Sequence, residues 1–245
     1  MYEKLRYLLM QIRNHDDPMR EQEIAVFARA LKGDPSQFTI LDLLNDVPTR
    51  EKLNGFDVVL LGGSGHYSAA GEGEWLQRTL DGLRLVHDIA KPTFASCWGF
   101  QAMARAMGGE VINDPDHAEL GVHELTLTEA GAADPVFGFL APTFDAQMGH
   151  EDRVTRLPAD ATLLASTSVV ENQAYRFEGK PIYATQFHPE LNRQNLIERV
   201  IAYPEYVEKI AGLSMDDFVA TCRETPQAEQ LLLSFVQHVF GMDDA

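Results

Sequence analysis

The sequence predicts an α/β fold with a doubly wound, mainly parallel central sheet and flanking helices. Residues 57–61 form an unbroken apolar run that ends in glycines, as expected of a strand buried on both faces of a parallel sheet. Strand-like runs alternate with amphipathic segments of helical spacing through the first hundred residues. The chain has 245 residues, 45% of them hydrophobic, which is enough for one large core, so we expect a single domain over residues 1–245.

The elements of the first part of the chain follow in order. Residues 5–12 predict a first strand, and residues 21–31, with apolar positions at helical spacing, predict the helix after it. The next elements are a strand at 38–42, a strand at 57–61, a helix at 74–87, a short buried strand ending at 95 and a helix at 98–107. Gly108 and Gly109 are expected to end that last helix.

After residue 119 the predicted strands are shorter, and several are expected to be antiparallel. They lie at 122–127, 161–166, 174–177 and 182–186. Beyond a core of about residues 5–200 we predict a helical C-terminal extension of about 201–245, and the helices of this region are expected at 198–211, 215–223 and 227–240. The apolar positions of these helices predict either a lid or an oligomer surface, such as that of a homodimer, or packing onto the outer face of the sheet.

Composition and charge argue against two classes of partner. The formal net charge is −17, from 20 basic against 37 acidic residues, so the chain lacks the basic excess that nucleic acid or an anionic membrane attracts. No segment approaches the roughly 20 apolar residues that cross a bilayer, and charged residues interrupt the N-terminus where a signal peptide would be apolar. Cys97 and Cys222 form no disulfide framework. We expect a cytoplasmic protein, because a reducing compartment protects a reactive thiol.

Cys97 lies where a catalytic nucleophile is expected. It stands between the predicted strand that ends at Ala95 and the helix that begins at Trp98, and the partial positive charge at a helix N-terminus favours a thiolate. A lone cysteine is more often a small buried hydrophobe. A thiol that attacks needs a histidine within hydrogen-bond reach, and that histidine needs a third group to orient it.

His188 and Glu190 fit these two roles. They lie two residues apart, on the same side of an extended segment, and Pro189 restricts the residue before it to an extended conformation. The pair could in principle also form half of a metal site, but no string of further ligands accompanies it, so we predict no metal. The carboxylate follows the histidine, whereas a hydrolase of the α/β-hydrolase fold places its acid before the histidine.

Four motifs resemble those of class I (triad-type) glutamine amidotransferases, in particular the GMP-synthase-like glutaminase branch. Residues 95–101 resemble the Gly-x-Cys-x-Gly-x-Gln nucleophile motif, and residues 186–190, Gln-Phe-His-Pro-Glu, match the second motif outright. Residues 60–65 resemble the glycine loop after an early strand, and residues 147–154 are similar to the Ser-His-x-Asp-x-Val segment. The resemblance runs from about residue 5 to residue 200 and implies the flavodoxin-like fold of that family.

The resemblance also implies a mechanism. Cys97 would attack the side-chain amide of glutamine, His188 would activate the thiol and protonate the leaving ammonia, and Glu190 would orient His188. Water would then hydrolyse the γ-glutamyl thioester. Backbone amides of Gly63 and Trp98 are the expected oxyanion donors, because preorganised N–H groups stabilise the tetrahedral intermediates.

Four further positions are implied to bind substrate: Gln101, Met148, Gly149 and His150. At Met148 and Gly149 the backbone is expected to make the contact, and His150 is expected to support it. The glycine loop is otherwise a tight turn or a phosphate loop, but it lacks the lysine and the spacing of a Walker loop. Departures from the family motifs at Ala95, Ser96, Phe100, Ser64 and Gly149 bear on how strictly glutamine is selected.

The resemblance implies no cofactor, and it implies glutamine or a γ-glutamyl compound as the substrate. A synthetase that receives the ammonia is expected on a separate subunit, because only about 45 residues follow residue 200. The alternatives are a stand-alone hydrolase of γ-glutamyl peptides or amides, and a non-catalytic amidotransferase-like binding module. The binding module would require a broken triad, and all three triad residues are present.

Overall fold

A nine-stranded sheet forms the centre of the molecule. The computed structural model describes residues 4–241 of the chain. Two further strands pair with each other in a separate two-stranded sheet. The eleven strands of the described residues are β1 (Tyr7–Ile12), β2 (Phe38–Asp42), β3 (Val58–Ser64), β4 (Thr93–Ser96), β5 (Glu110–Asn113), β6 (Glu119–Leu127), β7 (Thr143–His150), β8 (Asp152–Arg156), β9 (Ala161–Ser166), β10 (Ala174–Phe177) and β11 (Ile182–Thr185). The α-helices are α1 (Met19–Ala30), α2 (Arg50–Asn54), α3 (Glu74–Asp88), α4 (Trp98–Ala106), α5 (Glu129–Ala132), α6 (Arg193–Ala202), α7 (Met215–Thr221) and α8 (Leu231–Phe240).

The large sheet has a parallel half and an antiparallel half, in the order β2-β1-β3-β4-β11-β10-β9-β6-β7. The first five strands of this order pair in parallel, and the last four pair in antiparallel fashion. Strand β11 therefore lies at the junction of the two halves. The predicted doubly wound fold, with helices on both faces of a mainly parallel core, is confirmed, and the later strands are antiparallel as expected.

Alternate residues of the parallel strands pack on opposite faces of the sheet. On β3, Val58 and Leu60 belong to one buried cluster, whereas Val59 and Leu61 belong to the other. Helices α1 and α8 cover the first face, and helices α3 and α4 cover the second. Because both faces are covered by helices, these strands are apolar throughout, which is the pattern from which the fold is predicted.

The C-terminal extension packs differently along its length. The α8 side chains of Leu231, Leu232, Phe235 and Val236 are fully buried against the sheet, so this helix follows the packing alternative rather than the lid alternative. Helices α6 and α7 share a third, smaller buried cluster with part of α1. The last residues of the predicted extension, 242–245, lie outside the described residues, as do residues 1–3.

The predicted helix at 198–211 is wrong in its bounds. Helix α6 begins five residues earlier, after Asn192, whose side chain accepts a hydrogen bond from the backbone N–H of Asn195. It ends at Ala202 because Pro204 follows, and a proline excludes the residue before it from helical backbone. Tyr203 accordingly leaves the helix, and a separate single-turn π-helix spans Val207–Ala211. Among the described residues, no helix is long and apolar enough to span a bilayer.

Candidate active site

Cys97 occupies the turn between β4 and α4, as predicted. Its backbone has φ 52° and ψ −106°, in the left-handed region that non-glycine residues rarely adopt. Its N–H donates a 2.8 Å hydrogen bond to the carbonyl of Thr185 at the end of β11. A Cβ on Gly99 would lie 2.5 Å from the Cβ of Leu61, so the helix packs this closely on β3 only with glycine there. The turn thus holds the thiol at the carboxyl edge of the parallel half.

His188 and Glu190 follow β11 and are both buried. The imidazole Nδ1 lies 2.6 Å from Oε1 of Glu190. The backbone N–H of His188 donates to the carbonyl of Gln147 on β7, at 2.9 Å. Since the N–H of Cys97 bonds the carbonyl of Thr185 at the end of β11, Cys97 and His188 follow adjacent strands of one sheet.

Opposite charges shift the pKa of both members of this pair. Burial lowers the pKa of His188, but the carboxylate of Glu190 and the negative charge of Cys97 as a thiolate outweigh it and raise that pKa to about 9. Burial raises the pKa of Glu190, but His188 and then Arg199 outweigh it and lower that pKa to about 2. At neutral pH the arrangement therefore favours an imidazolium beside a carboxylate, next to the thiol.

A cavity of about 340 Å³ opens over these groups, and Cys97, His188 and Gly63 all contribute to its wall. A Cβ on Gly63 would lie 3.0 Å from Cε1 of His188 and 3.8 Å from the Cβ of Cys97. The glycine loop after β3 therefore brings bare backbone against both reacting side chains. No group of three or more His, Cys, Asp or Glu side chains within residues 4–241 is arranged to hold a metal ion.

Trp98 and Gln101 lie on the first turn of α4, and both line the cavity. Trp98 is the first residue of the helix, where backbone N–H groups have no partner within the helix. The side-chain amide of Gln101 is buried and donates to the carbonyl of Asp152 at 2.8 Å and to Oε1 of Gln186 at 3.1 Å. Both donor hydrogens of that amide are thus engaged within the protein.

The three candidate substrate residues of β7 differ in what they present. The side chain of Met148 is fully buried in the core and does not line the cavity. Gly149 lines it, and its carbonyl accepts a hydrogen bond from Sγ of Cys97 at 3.6 Å. His150 also lines it, but its Nδ1 lies 3.0 Å from the carbonyl of Asp152 and its Nε2 lies 3.0 Å from Oε2 of Glu119. Backbone contact at Gly149 is therefore what this strand presents to the thiol.

Two departures from the family motifs have local partners. Ser64, in place of the loop proline, accepts a hydrogen bond from the N–H of Tyr67 at 2.7 Å and donates to its carbonyl at 2.8 Å, so its hydroxyl closes the turn. Ser96 is fully buried, and its hydroxyl lies 3.4 Å from the carbonyl of Leu61. Both hydroxyls are thus bonded to backbone groups close to the thiol.

Sequence reasoning missed the cavity wall that α6 and the segment after it provide. Arg199, Tyr203 and Tyr206 line the cavity. We name residues 203–211 the cover segment, because it joins two loops at the mouth of the cavity. The hydroxyl of Tyr206 donates to the carbonyl of Gly65 at 2.7 Å, and Nζ of Lys209 pairs with Glu151 at 2.6 Å. Asn192 was the available sequence signal, because an asparagine is a favoured helix N-cap. It would have placed the start of α6 at residue 193, so that Arg199 lies within the helix.

The fold and the site together define an α/β protein whose cysteine lies at a strand-to-helix elbow beside a buried histidine–carboxylate pair. The family model described as Glutamine amidotransferase class-I matches residues 26–201, well over half of the chain. The chain belongs to the class-I glutamine amidotransferase family, which confirms the resemblance of its motifs.

Relatives of known name match different shares of the chain. A glutamine-hydrolysing GMP synthase of Christiangramia forsetii is 35% identical over 162 residues, which are 66% of this chain and 30% of that protein. Gamma-glutamyl peptidase 4 of Arabidopsis thaliana is 27% identical over 219 residues, which are 86% of this chain and 82% of that protein. The chain thus spans less than a third of the length of the synthase but most of the peptidase.

A solved structure shows the same fold. A glutamine amidotransferase of Thermotoga maritima superposes on this chain with a TM-score of 0.75 at 21% sequence identity. The superposition covers 96% of this chain and 97% of that one. The match includes the C-terminal helices as well as the sheet, since so little of either chain is left out.

Proposed function

We propose that this chain is a cysteine hydrolase that cleaves the γ-amide of glutamine and releases ammonia. The observation that supports this most directly is the 2.6 Å contact between His188 and Glu190, beside a cavity that is also lined by Cys97 at the strand-to-helix turn. These are the nucleophile, base and orienting acid of a thiol hydrolase. Membership of the family supports the choice of an amide of glutamine as the substrate.

In the first half of the proposed reaction, Sγ of Cys97 attacks the γ-carbonyl carbon of glutamine. The carbon–nitrogen bond breaks, and His188 gives its proton to the departing nitrogen, which leaves as ammonia. The carbonyl oxygen is negatively charged in the tetrahedral intermediate, and the backbone N–H groups of Gly63 and Trp98 are the proposed donors to it. Loss of one such donor costs about 10²–10³ in kcat in other hydrolases, so their placement matters.

In the second half, water attacks the γ-glutamyl thioester. His188, now neutral, takes a proton from that water, the carbon–sulfur bond breaks, and glutamate leaves with the thiolate restored. Glu190 holds the Nδ1 proton of His188 throughout, which fixes the tautomer that leaves Nε2 free to act. No cofactor enters either half.

The proposed wall for the rest of the substrate is the segment from Met148 to His150 together with Gln101. Gly149 is the member that already contacts the thiol, and Met148 would contribute its backbone alone, because its side chain is buried in the core. His150 and Gln101 would shape the wall rather than bond the substrate. The ring nitrogens of His150 and the amide donors of Gln101 are already engaged by the protein.

Replacement of the nucleophile tests the proposal. Cys97→Ala should abolish ammonia release from glutamine, and an electrophilic glutamine analogue should add once to the parent protein, at Cys97, by mass spectrometry. Cys222→Ser is the matched control, because Cys222 is the other cysteine and lies at the end of α7, away from the cavity. Parent-like turnover in Cys97→Ala would overturn the proposal, and an intact protein inert to glutamine and to the analogue would instead favour a binding module.

A second candidate is hydrolysis of γ-glutamyl peptides. The match to gamma-glutamyl peptidase 4 covers most of both chains, and Tyr203 and Tyr206 extend the cavity beyond the thiol, where a residue attached to the leaving nitrogen would lie. The ratio of kcat/KM for γ-glutamyl dipeptides to that for glutamine separates the two. A ratio well above one favours the peptidase, and a ratio well below one favours the glutaminase.

For the glutaminase we propose a synthetase on a separate subunit as the acceptor of the ammonia, and a cytoplasmic location, where the thiol stays reduced. The match to a GMP synthase covers only 30% of that protein, which leaves room for such an acceptor elsewhere. Co-purification of an ATP-dependent synthetase that raises the glutaminase rate would support this arrangement. A glutaminase rate that no co-purified protein changes, in a chain that elutes alone, would contradict it.

A further inference from the structure

Arg199 lies against the histidine–carboxylate pair. It is 8% exposed, and one of its guanidinium nitrogens, Nη1, lies 3.5 Å from Oε1 of Glu190 and 3.2 Å from Nδ1 of His188. A buried cation thus faces both the base and the acid of the site. Nothing in the proposed reaction so far uses it.

The contact between Arg199 and the imidazole is electrostatic rather than a hydrogen bond. A carboxylate only accepts hydrogen bonds, so at 2.6 Å the Nδ1 of His188 must donate its proton to Glu190. A guanidinium only donates, so Nη1 faces a nitrogen that is already a donor. The arrangement therefore stabilises a negative charge on Glu190 and opposes a positive charge on His188.

A second helix fixes the position of the guanidinium. Nε of Arg199 donates to Oε1 of Gln22 on α1 at 3.0 Å. The amide of Gln22 in turn donates to Oε2 of Glu198 at 2.9 Å and to the carbonyl of Asn195 at 3.1 Å, both on α6. The cation is thus held from α1 and α6 together, independently of the two groups that it faces.

Two buried atoms in this cluster have no hydrogen-bond partner within residues 4–241. They are Nη2 of Arg199 and Oε2 of Glu190. A buried unpaired donor and a buried unpaired acceptor are each costly, and structural ion pairs normally satisfy both. Hydrogen bonds from the described residues therefore leave one polar atom of each charged group unsatisfied.

On the basis of the proposed function, we propose that Arg199 is a positioning residue, which keeps Glu190 ionised while His188 is neutral and limits how tightly His188 holds its proton. The need arises at the thioester, after ammonia has left with the proton of His188. Glu190 is then a fully buried carboxylate beside a neutral ring, and burial favours its protonation. Arg199 supplies the remaining positive charge, and it also keeps His188 a ready base for the attacking water.

Other charged groups bear on the same ring and acid. Arg13 lies in the same cavity wall but is paired with Asp17 and Glu23, at 3.2 and 3.3 Å. The titratable and charged groups that touch the cluster directly, or that bond one of its neighbours, are Cys97, Arg13, Asp17, Glu23, Arg29, Glu198 and Tyr203. Of the cations among these, Arg29 reaches only the backbone carbonyl of Glu190, at 2.8 Å. Arg199 is accordingly the cation whose removal most directly changes the charge on the pair.

Titration of His188 by NMR tests this without any catalysis. In a Cys97→Ala protein, Arg199→Met should raise the pKa of His188 by about one pH unit, because a cation beside the ring is lost. Arg199→Lys should leave that pKa near the parent value. Arg193→Met is the matched control, because Arg193 lies on the same helix and, among the described residues, its guanidinium bonds the carbonyls of Cys222 and Val219, away from the pair. A failure of the proposed function would leave these titrations interpretable, so the two failures are distinguishable.

The pH profile of kcat is the second readout. Thioester hydrolysis needs neutral His188, so in Arg199→Met the acid limb of kcat should move about one pH unit upward and kcat at pH 7 should fall about tenfold, with KM little changed. Arg199→Lys should restore the limb. An unmoved limb, or a pKa of His188 that falls toward 6.5 in both variants, would overturn the proposal and indicate a purely structural arginine. Loss of the fold in both Arg199→Met and Arg199→Gln would overturn it as well.

Discussion

The two sides of the active-site cavity are built in different ways. The side that we propose to be catalytic consists of the ends of β4 and β11, where Cys97, His188 and Glu190 are buried and the backbone N–H groups of Cys97 and His188 are hydrogen-bonded to strands of the sheet. The cover segment also lines the cavity, and it reaches its neighbours through side chains: the hydroxyl of Tyr203 bonds Asp17, that of Tyr206 bonds Gly65, and the exposed ammonium of Lys209 pairs with a glutamate. The proposed reacting groups are therefore placed by the fold itself, whereas the cover segment is held by a few side chains that substitution can remove singly.

The largest expected effect is on the catalytic side. We expect Glu190→Gln to lower kcat about 10³-fold or more, because a neutral amide neither fixes the tautomer of His188 nor stabilises its charge. Steady-state ammonia release from glutamine measures this. Glu205→Gln, an exposed position of the cover segment, is the control and should keep the parent rate. A loss of less than tenfold in Glu190→Gln would remove the acid from the proposed mechanism.

A smaller effect is expected from crowding the elbow. Gly99→Ala places a Cβ 2.5 Å from the Cβ of Leu61 and should lower the free energy of unfolding by about 1–3 kcal/mol, because β3 and α4 must move apart. Chemical denaturation measures it. Gly149→Ala is the matched control, because its nearest neighbour would be Cδ1 of Leu120 at 3.7 Å, an ordinary contact. Equal stability of the two variants would show that the elbow has more room than the structure indicates.

The charges of the catalytic side should make stability depend on pH. The pKa of His188 is raised from 6.5 to about 9, so its contribution is fully present below pH 6.5 and is lost as pH rises through 9. The pKa of Glu190 is lowered from 4.5 to about 2, so its contribution is present above pH 4.5 and is lost as pH falls through 2. We expect on the order of 1 kcal/mol or more between pH 6.5 and 9, measured by urea unfolding. His188→Gln should lack that alkaline loss, and a parent-like loss in this variant would assign it to other groups.

The smallest effects are expected in the cover segment. Tyr206→Phe removes one hydrogen bond to the glycine loop and should cost about 1 kcal/mol of stability, and Lys209→Met removes an exposed ion pair worth less than about 1 kcal/mol. Both variants should change KM or the preference among γ-glutamyl substrates by a few fold and leave kcat for glutamine nearly unchanged. A loss of kcat as large as that in Glu190→Gln would erase the distinction between the two sides.

The sequence sufficed to predict the elbow at Cys97 and the pairing of His188 with Glu190, because the determinants of both are local. An apolar run before Cys97, a helical pattern after it and the fixed spacing of His188 and Glu190 require no knowledge of distant contacts. The parallel strands were equally accessible, since burial on both faces leaves an apolar run. Strand β7 was not among the predicted strands, although its sequence indicates one, because Phe144, Ala146 and Met148 alternate with less apolar residues.

The cover segment and Arg199 were beyond sequence reasoning for a physical reason. The contacts of Tyr206 with Gly65 and of Arg199 with Gln22 join residues more than a hundred positions apart, and no periodicity records such a pairing. The continuous helix predicted at 198–211 also concealed them, because Pro204 ends α6 and turns the chain across the mouth of the cavity. Recognising a proline as a helix terminus would have corrected the helix, although not the partners of its side chains.

The hydrogen bond from the N–H of Cys97 to the carbonyl of Thr185 has a consequence for how such proteins vary. Because β4 and β11 are neighbours in the sheet, the distance between Cys97 and His188 is set by the spacing of adjacent strands. It does not depend on the length of chain that joins the two strands. The intervening loops should then tolerate insertion, and new termini opened in the exposed turn around Val169 should leave the thiol and imidazole in register. In a circular permutant cut at that turn, His188 would precede Cys97 in the sequence, and folding should still bring the two side chains together.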